Sequence, residues 1–142
     1  MKKSGISPGY LARRIVDAKR FIDTNYFVSL DLNRISHSAR FSSFHFLRLF
    51  KKTYQQTPLA YLRNRRINQA KTLLESTDLS VREICFRVGF DSDTSFSILF
   101  KKIVGKSPGS YRRWVRKRRV KATEQPLAFI PGCFSKRYRL EE

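Results

Sequence analysis

Cysteine is nearly absent: the 142 residues hold two, Cys85 and Cys133. One chain therefore cannot build a disulfide framework or a four-ligand zinc site, and a reducing cytoplasm suits it best. Long apolar runs are missing too, with nothing near the roughly eighteen unbroken residues that a membrane span needs. Residues 1–8 are basic and small with no apolar core behind them, so a secretory signal is not expected. Catalytic patterns are lacking as well. There is no GKS/T loop, paired carboxylate or Ser-His-Asp arrangement, and His37 and His45 have no acidic or cysteine neighbours at ligand spacing. No enzyme activity, metal or cofactor is expected. Acid is scarce: eleven Asp and Glu stand against thirty Lys and Arg.

The resulting net charge of +19 makes a compact domain repel itself, and a polyanion partner relieves that repulsion. Double-stranded DNA is the first candidate, ahead of an anionic membrane surface or simple solubility. With 41% hydrophobic and 13% aromatic residues, the chain is composed as a folded protein. Its length suits one domain, expected over 7–116, plus a basic and apolar tail over 117–142.

The sequence also repeats itself. Phe46, Phe50, Pro58 and Tyr61 return fifty positions later as Phe96, Phe100, Pro108 and Tyr111. Phe41 returns after forty-nine, as Phe90, so the second copy carries one extra residue between its turn and the following helix. Upstream, Leu32 and Ile35 match Val81 and Ile84.

Caps and periodicity divide the chain into helices. Ser7-Pro8 opens a first, with Leu11, Ile15, Ala18 and Ile22 on one face, ending near Asn25. Asp31 caps a second carrying Leu32, Ile35 and Ala39, and Ser42 caps a third running to about Tyr54. Thr57-Pro58 starts a long fourth to about Ser76, with Leu59, Leu62, Ile67, Ala70 and Leu74 expected on its buried side. Ser80 and Glu83 form a capping box for a fifth, with Val81, Ile84, Cys85 and Val88 at helical spacing. A sixth begins around Ser92 and stops before Gly105, and Ser107-Pro108 opens a seventh reaching about Arg116. No segment alternates as a half-buried strand does. The expected fold is all-α: seven helices with two helix-turn-helix motifs, at about 31–54 and 80–104, joined by a linker helix at about 58–76.

Gly89 stands at the second motif's sharp turn, where a positive φ suits glycine. Arg40 holds the matching place in the first motif, at a cost of about 1 kcal/mol if left-handed. A linker of nineteen residues spans roughly 28 Å, close to the 34 Å between successive major grooves on one duplex face. One polypeptide could thus do what a two-fold dimer usually does.

With Phe46 and Phe50 inward, the outer face of the first reader helix carries Ser43, Phe44, Leu47 and Arg48. The guanidinium of Arg48 can pair with the O6 and N7 of guanine, or else neutralise a phosphate. Phe44 and Leu47 read as thymine-methyl contacts or as a partly buried flank. The second reader presents Asp93, Thr94, Ser97 and Ile98, a poorer set for base readout. The first motif is therefore expected to supply most specificity. Phosphate candidates are Lys51, Lys52, Lys101 and Lys102 on the readers, Arg63, Arg65 and Arg66 on the linker, and Lys106 and Arg112 beside the last helix start. About eight such contacts give a salt slope of about −7.

The run from Leu73 through Thr77-Asp78-Leu79-Ser80-Val81-Arg82-Glu83-Ile84, then Val88-Gly89-Phe90, Phe96, Phe100-Lys101-Lys102, Gly105, Ser107-Pro108 and Tyr111-Arg112 resembles the AraC/XylS family of bacterial regulators. The resemblance covers about 14–116. It implies seven helices, two motifs on a linker helix, base contacts at Phe44, Leu47 and Arg48, and activation through contact with RNA polymerase. This chain is similar to the short members of the family, or to the DNA-binding part of a larger ligand-responsive regulator.

From Arg112 to Lys121 seven of ten residues are basic, reading as a helix end along the DNA backbone or as a flexible arm. The apolar stretch 126–134 is expected to fold back on the domain or engage a partner. A monomer is expected. Competing readings are an architectural DNA protein that bends without reading, and a module for RNA or an acidic protein.

Overall fold

Six helices begin at a side chain that accepts from the backbone N–H three residues on, which explains where each starts in the computed structural model, described here for residues 8–124. Helix α1 runs Pro8–Asn25, α2 Leu32–Ser38, α3 Ser43–Tyr54, α4 Pro58–Ser76, α5 Val81–Arg87, α6 Asp93–Val104 and α7 Pro108–Glu124. The caps are Asp31, Ser42, Thr57, Ser80, Ser92 and Ser107. Ser80 and Glu83 satisfy each other's backbone donors at 3.1 and 2.8 Å, the reciprocal box. Ser7 lies outside the described residues, and no strand occurs within them.

Each repeat closes its own hydrophobic core. Ile15, Ala18, Ile22, Leu30, Ile35, Ala39, Phe46, Phe50 and Leu62 form the first; Ile67, Ala70, Leu74, Ile84, Cys85, Val88, Phe96, Phe100 and Tyr111 form the second. The phenylalanines at i and i+4 on α3 and α6 are fully buried, worth roughly 1.5–3 kcal/mol each. Helix α4 contributes its first half to one core and its second half to the other, while Tyr26 packs against both.

Two expectations change. Leu59 is exposed rather than buried, because Pro58 takes the inward position one turn before Leu62. Helix α7 continues to Glu124 instead of ending near Arg116. No glycine or proline interrupts that stretch, and the end of α4 and the loop after it hold it: Arg116 pairs with Asp78 in the loop, and Arg119 donates to the Glu75 carbonyl at 2.8 Å. Residues 117–124 are therefore helix, and 126–134 lie outside the described residues.

Candidate nucleic-acid interface

Both motifs are built as a short helix, a left-handed turn and a second helix. Arg40 has φ 55 and Gly89 φ 96 at the turns, and Gln55 (φ 56) and Gly105 (φ 81) repeat the pattern at the ends of α3 and α6. The first copy thus places non-glycine residues where the second has glycine. Arg14 compensates at Arg40, stacking its guanidinium 4.0 Å over Phe41 while Nε donates to the Ala39 carbonyl at 2.7 Å and Nη2 to that of Arg40.

On α3, Phe44 is 77% exposed and Arg48 is exposed, its guanidinium 5.9 Å from the Phe44 ring centre; Leu47 is half-buried. Ser43 differs from its neighbours. Its hydroxyl donates to Asn33 Oδ1 at 2.6 Å and lies 3.0 Å from Ser36 Oγ, fastening α3 to α2 rather than standing free. On α6, Asp93, Thr94 and Ile98 are exposed and Ser97 is half-buried. Arg82, which helical periodicity alone does not single out, shares a cleft with them at the start of α5.

The basic candidates divide by what holds them. Lys51, Lys52, Arg63, Lys101, Lys102 and Lys106 are exposed. Arg66 is half-buried, and its Nε and Nη2 donate to the carbonyls of Tyr26 and Val28 at 2.7 and 2.8 Å. Burial lowers its pKa from the usual range, with the charge of Asp91 opposing. Arg112 donates through Nη2 to the Leu79 carbonyl, with its Nε buried and unpartnered. Arg65 lies 3.5 Å from Asp23 and 4.7 Å over the Tyr26 ring. These three arginines brace the scaffold, and sequence spacing carries no signal of their partners.

A helix-turn-helix domain family model matches residues 35–114, more than half the chain. The chain belongs to the AraC family of DNA-binding transcription regulators. Its AraC-type domain is 35% identical over 107 residues to YdiP of Escherichia coli K12, an uncharacterised helix-turn-helix regulator, covering 74% of this chain and 35% of that one. It is 35% identical over 92 residues to the transcriptional activator AarP of Providencia stuartii, covering 65% and 68%. Among solved structures it is similar to the DNA-binding domain of AdpA, seen in complex with a target DNA. That likeness has a TM-score of 0.73 at 30% identity and covers 76% of this chain and 97% of that one. The chain spans about a third of the length of several curated relatives, YdiP among them. Among the described residues of this AraC-type domain no helix is long and apolar enough to cross a membrane, and no acidic, histidine and cysteine group could hold a metal ion. His45 packs edge-on against Phe41, and burial pushes the Cys85 thiol up, away from thiolate reactivity.

Proposed function

We propose that the chain binds a specific duplex site as a monomer, with α3 in one major groove and α6 in the next. The reading rests on one observation above all. The outer face of α3 leaves Phe44 77% exposed beside Arg48, a large apolar ring and a cation that no core contact explains. Arg48 suits bidentate pairing with guanine, and Phe44 and Leu47 suit thymine methyl groups. On α6, Asp93, Thr94, Ser97 and Ile98 offer weaker readout, so the first motif carries most discrimination and the second mainly positions the protein.

Lys51, Lys52, Arg63, Lys101, Lys102 and Lys106 serve as phosphate contacts in this reading. Six such contacts give a salt slope of about −5, shallower than the −7 of about eight contacts. The nineteen residues of α4 set the groove spacing. The proposed setting is the bacterial cytoplasm, on the nucleoid, with activation through RNA polymerase as the consequence of binding.

Selection from random duplexes tests this directly. The expected product is an asymmetric site about two turns long, with the strongest base preference in the half under α3. A palindromic site, or no enrichment, overturns the reading; equal affinity for all duplexes is what an architectural protein would give.

A further inference from the structure

The two motifs close the gap between their paired helices differently. In the first, Asn33 in the opening turn of α2 accepts from Ser43 in the opening turn of α3, and Ser36 adds a second hydroxyl contact. Neutral hydrogen bonds seal that seam. The internal repeat places Arg82 where Asn33 stands and Asp93 where Ser43 stands, with Cys85 in place of Ser36. A tie between uncharged groups has become a pair of opposite charges.

That pair is not joined. Arg82 and Asp93 line an open cleft of about 500 Å³ with Val81, Thr94, Ser97 and Ile98. Both are exposed, and among the described residues the Arg82 side chain makes neither a hydrogen bond nor an ion pair. Its guanidinium lies 5.9 Å from the ring centre of Phe86, one turn along α5, which holds the head near the surface without occupying its donors. Asp93 has a local reason to be present, since a carboxylate in the first turn of α6 favours the helix start. Brought to DNA alone, however, it would meet the phosphates as a like charge.

We propose that Arg82 is a phosphate anchor of the second motif, and that its bound charge allows Asp93 to approach the base edges. The proposal rests on the DNA-binding reading above. The first helix of a helix-turn-helix crosses the sugar-phosphate backbone while the second enters the groove, so a cation in the opening turn of α5 meets phosphate. Its fork matches phosphate oxygens in a bidentate manner. With the local potential offset, the Asp93 carboxylate can accept from the N4 amino group of cytosine. The motif that reads weakly by composition thereby gains an anchor on α5, beside the readout face, in addition to Lys101 and Lys102 in the last turn of α6.

Fluorescence anisotropy on the duplex recovered by selection, over a range of salt concentrations, tests the assignment. Arg82→Ala is expected to weaken random duplexes by about tenfold at physiological salt, to weaken the selected duplex somewhat more as the Asp93 contact is lost with the anchor, and to reduce the salt slope by about one. Arg82→Lys keeps the slope. Adding Asp93→Asn to Arg82→Ala recovers part of the loss, and improves binding more in that background than in the wild type. Unchanged affinity and slope in Arg82→Ala overturns the anchor. So does an altered base preference with the slope intact, and additive behaviour of the two substitutions overturns their coupling. Both positions are exposed, so an unchanged thermal midpoint shows that folding is not the cause. If the wild type selects no sequence at all, the DNA reading fails first, independently of Arg82.

Discussion

Arg66 fills the space that a side chain at Gly89 would need. A Cβ built on Gly89 would lie 3.0 Å from Arg66 Cζ, and 2.8 and 2.9 Å from the carbonyl oxygens of Tyr26 and Phe27. The turn of the second motif is thereby pressed against the loop that follows α1, and Arg66 ties that loop to α4. Gly89→Ala meets backbone on two sides at φ 96, so a loss of about 2–4 kcal/mol is expected from strain and overlap together. Urea unfolding measures it; a loss under 0.5 kcal/mol would show that the loop yields freely.

Arg66→Ala should act on stability rather than on the DNA. It leaves the Tyr26 and Val28 carbonyls without their charged donor, a cost of about 2–4 kcal/mol. The salt slope of binding by the folded fraction stays at its wild-type value. A slope reduced by about one, with stability unchanged, would return Arg66 to the phosphate contacts.

Gln55 offers the opposite sign. It sits left-handed at φ 56 where the second repeat has Gly105, and its side chain makes one exposed bond to the Lys52 carbonyl at 2.9 Å. Gln55→Gly is expected to stabilise the chain by about 0.5–1 kcal/mol, the left-handed strain relieved exceeding the added freedom of the unfolded chain. A raised melting midpoint in calorimetry supports this, and a lowered one refutes it.

Arg48→Ala and Lys51→Ala separate reading from holding. The first should reduce discrimination between selected and random duplexes by about 1–3 kcal/mol. The second should weaken both alike and lower the salt slope by about one. Unchanged discrimination in Arg48→Ala, with loss on substituting Thr94 or Ser97, would move specificity to the second motif.

Asp23 gives a pH dependence. Burial opposes its ionisation, but hydrogen bonds from Lys19 and Tyr61 and the charges of Lys19 and Arg65 prevail, taking its pKa below the ordinary 3.8. A carboxylate depressed in the native state contributes stability above its unfolded pKa and loses it as pH falls through the folded value. Asp23→Asn should therefore cost on the order of 1 kcal/mol at neutral pH, discounted for partial exposure, with the difference vanishing well below pH 3.8. A constant difference across that range would contradict the linkage.

Helix starts were legible because their signals are local: Ser, Thr or Asp at the cap, proline just inside, and Glu83 three residues beyond Ser80. The end of α7 was not, since its charge run resembles an arm until Arg116 and Arg119 are seen against Asp78 and Glu75. The exposed reader face followed from burying Phe46, Phe50, Phe96 and Phe100. What holds Ser43, Arg66 and Arg112 in the fold was not legible, for a common reason. Their partners, Asn33, the Tyr26 and Val28 carbonyls and the Leu79 carbonyl, are neighbours only in three dimensions.

Helix α4 feeds both interiors, Leu62 into one and Ile67, Ala70 and Leu74 into the other. An insertion or deletion of a single codon between those positions would swing everything downstream through about 100° and displace it by about 1.5 Å. The buried faces would then miss each other. Mutational drift in length, tolerated in most surface loops, is closed to this segment.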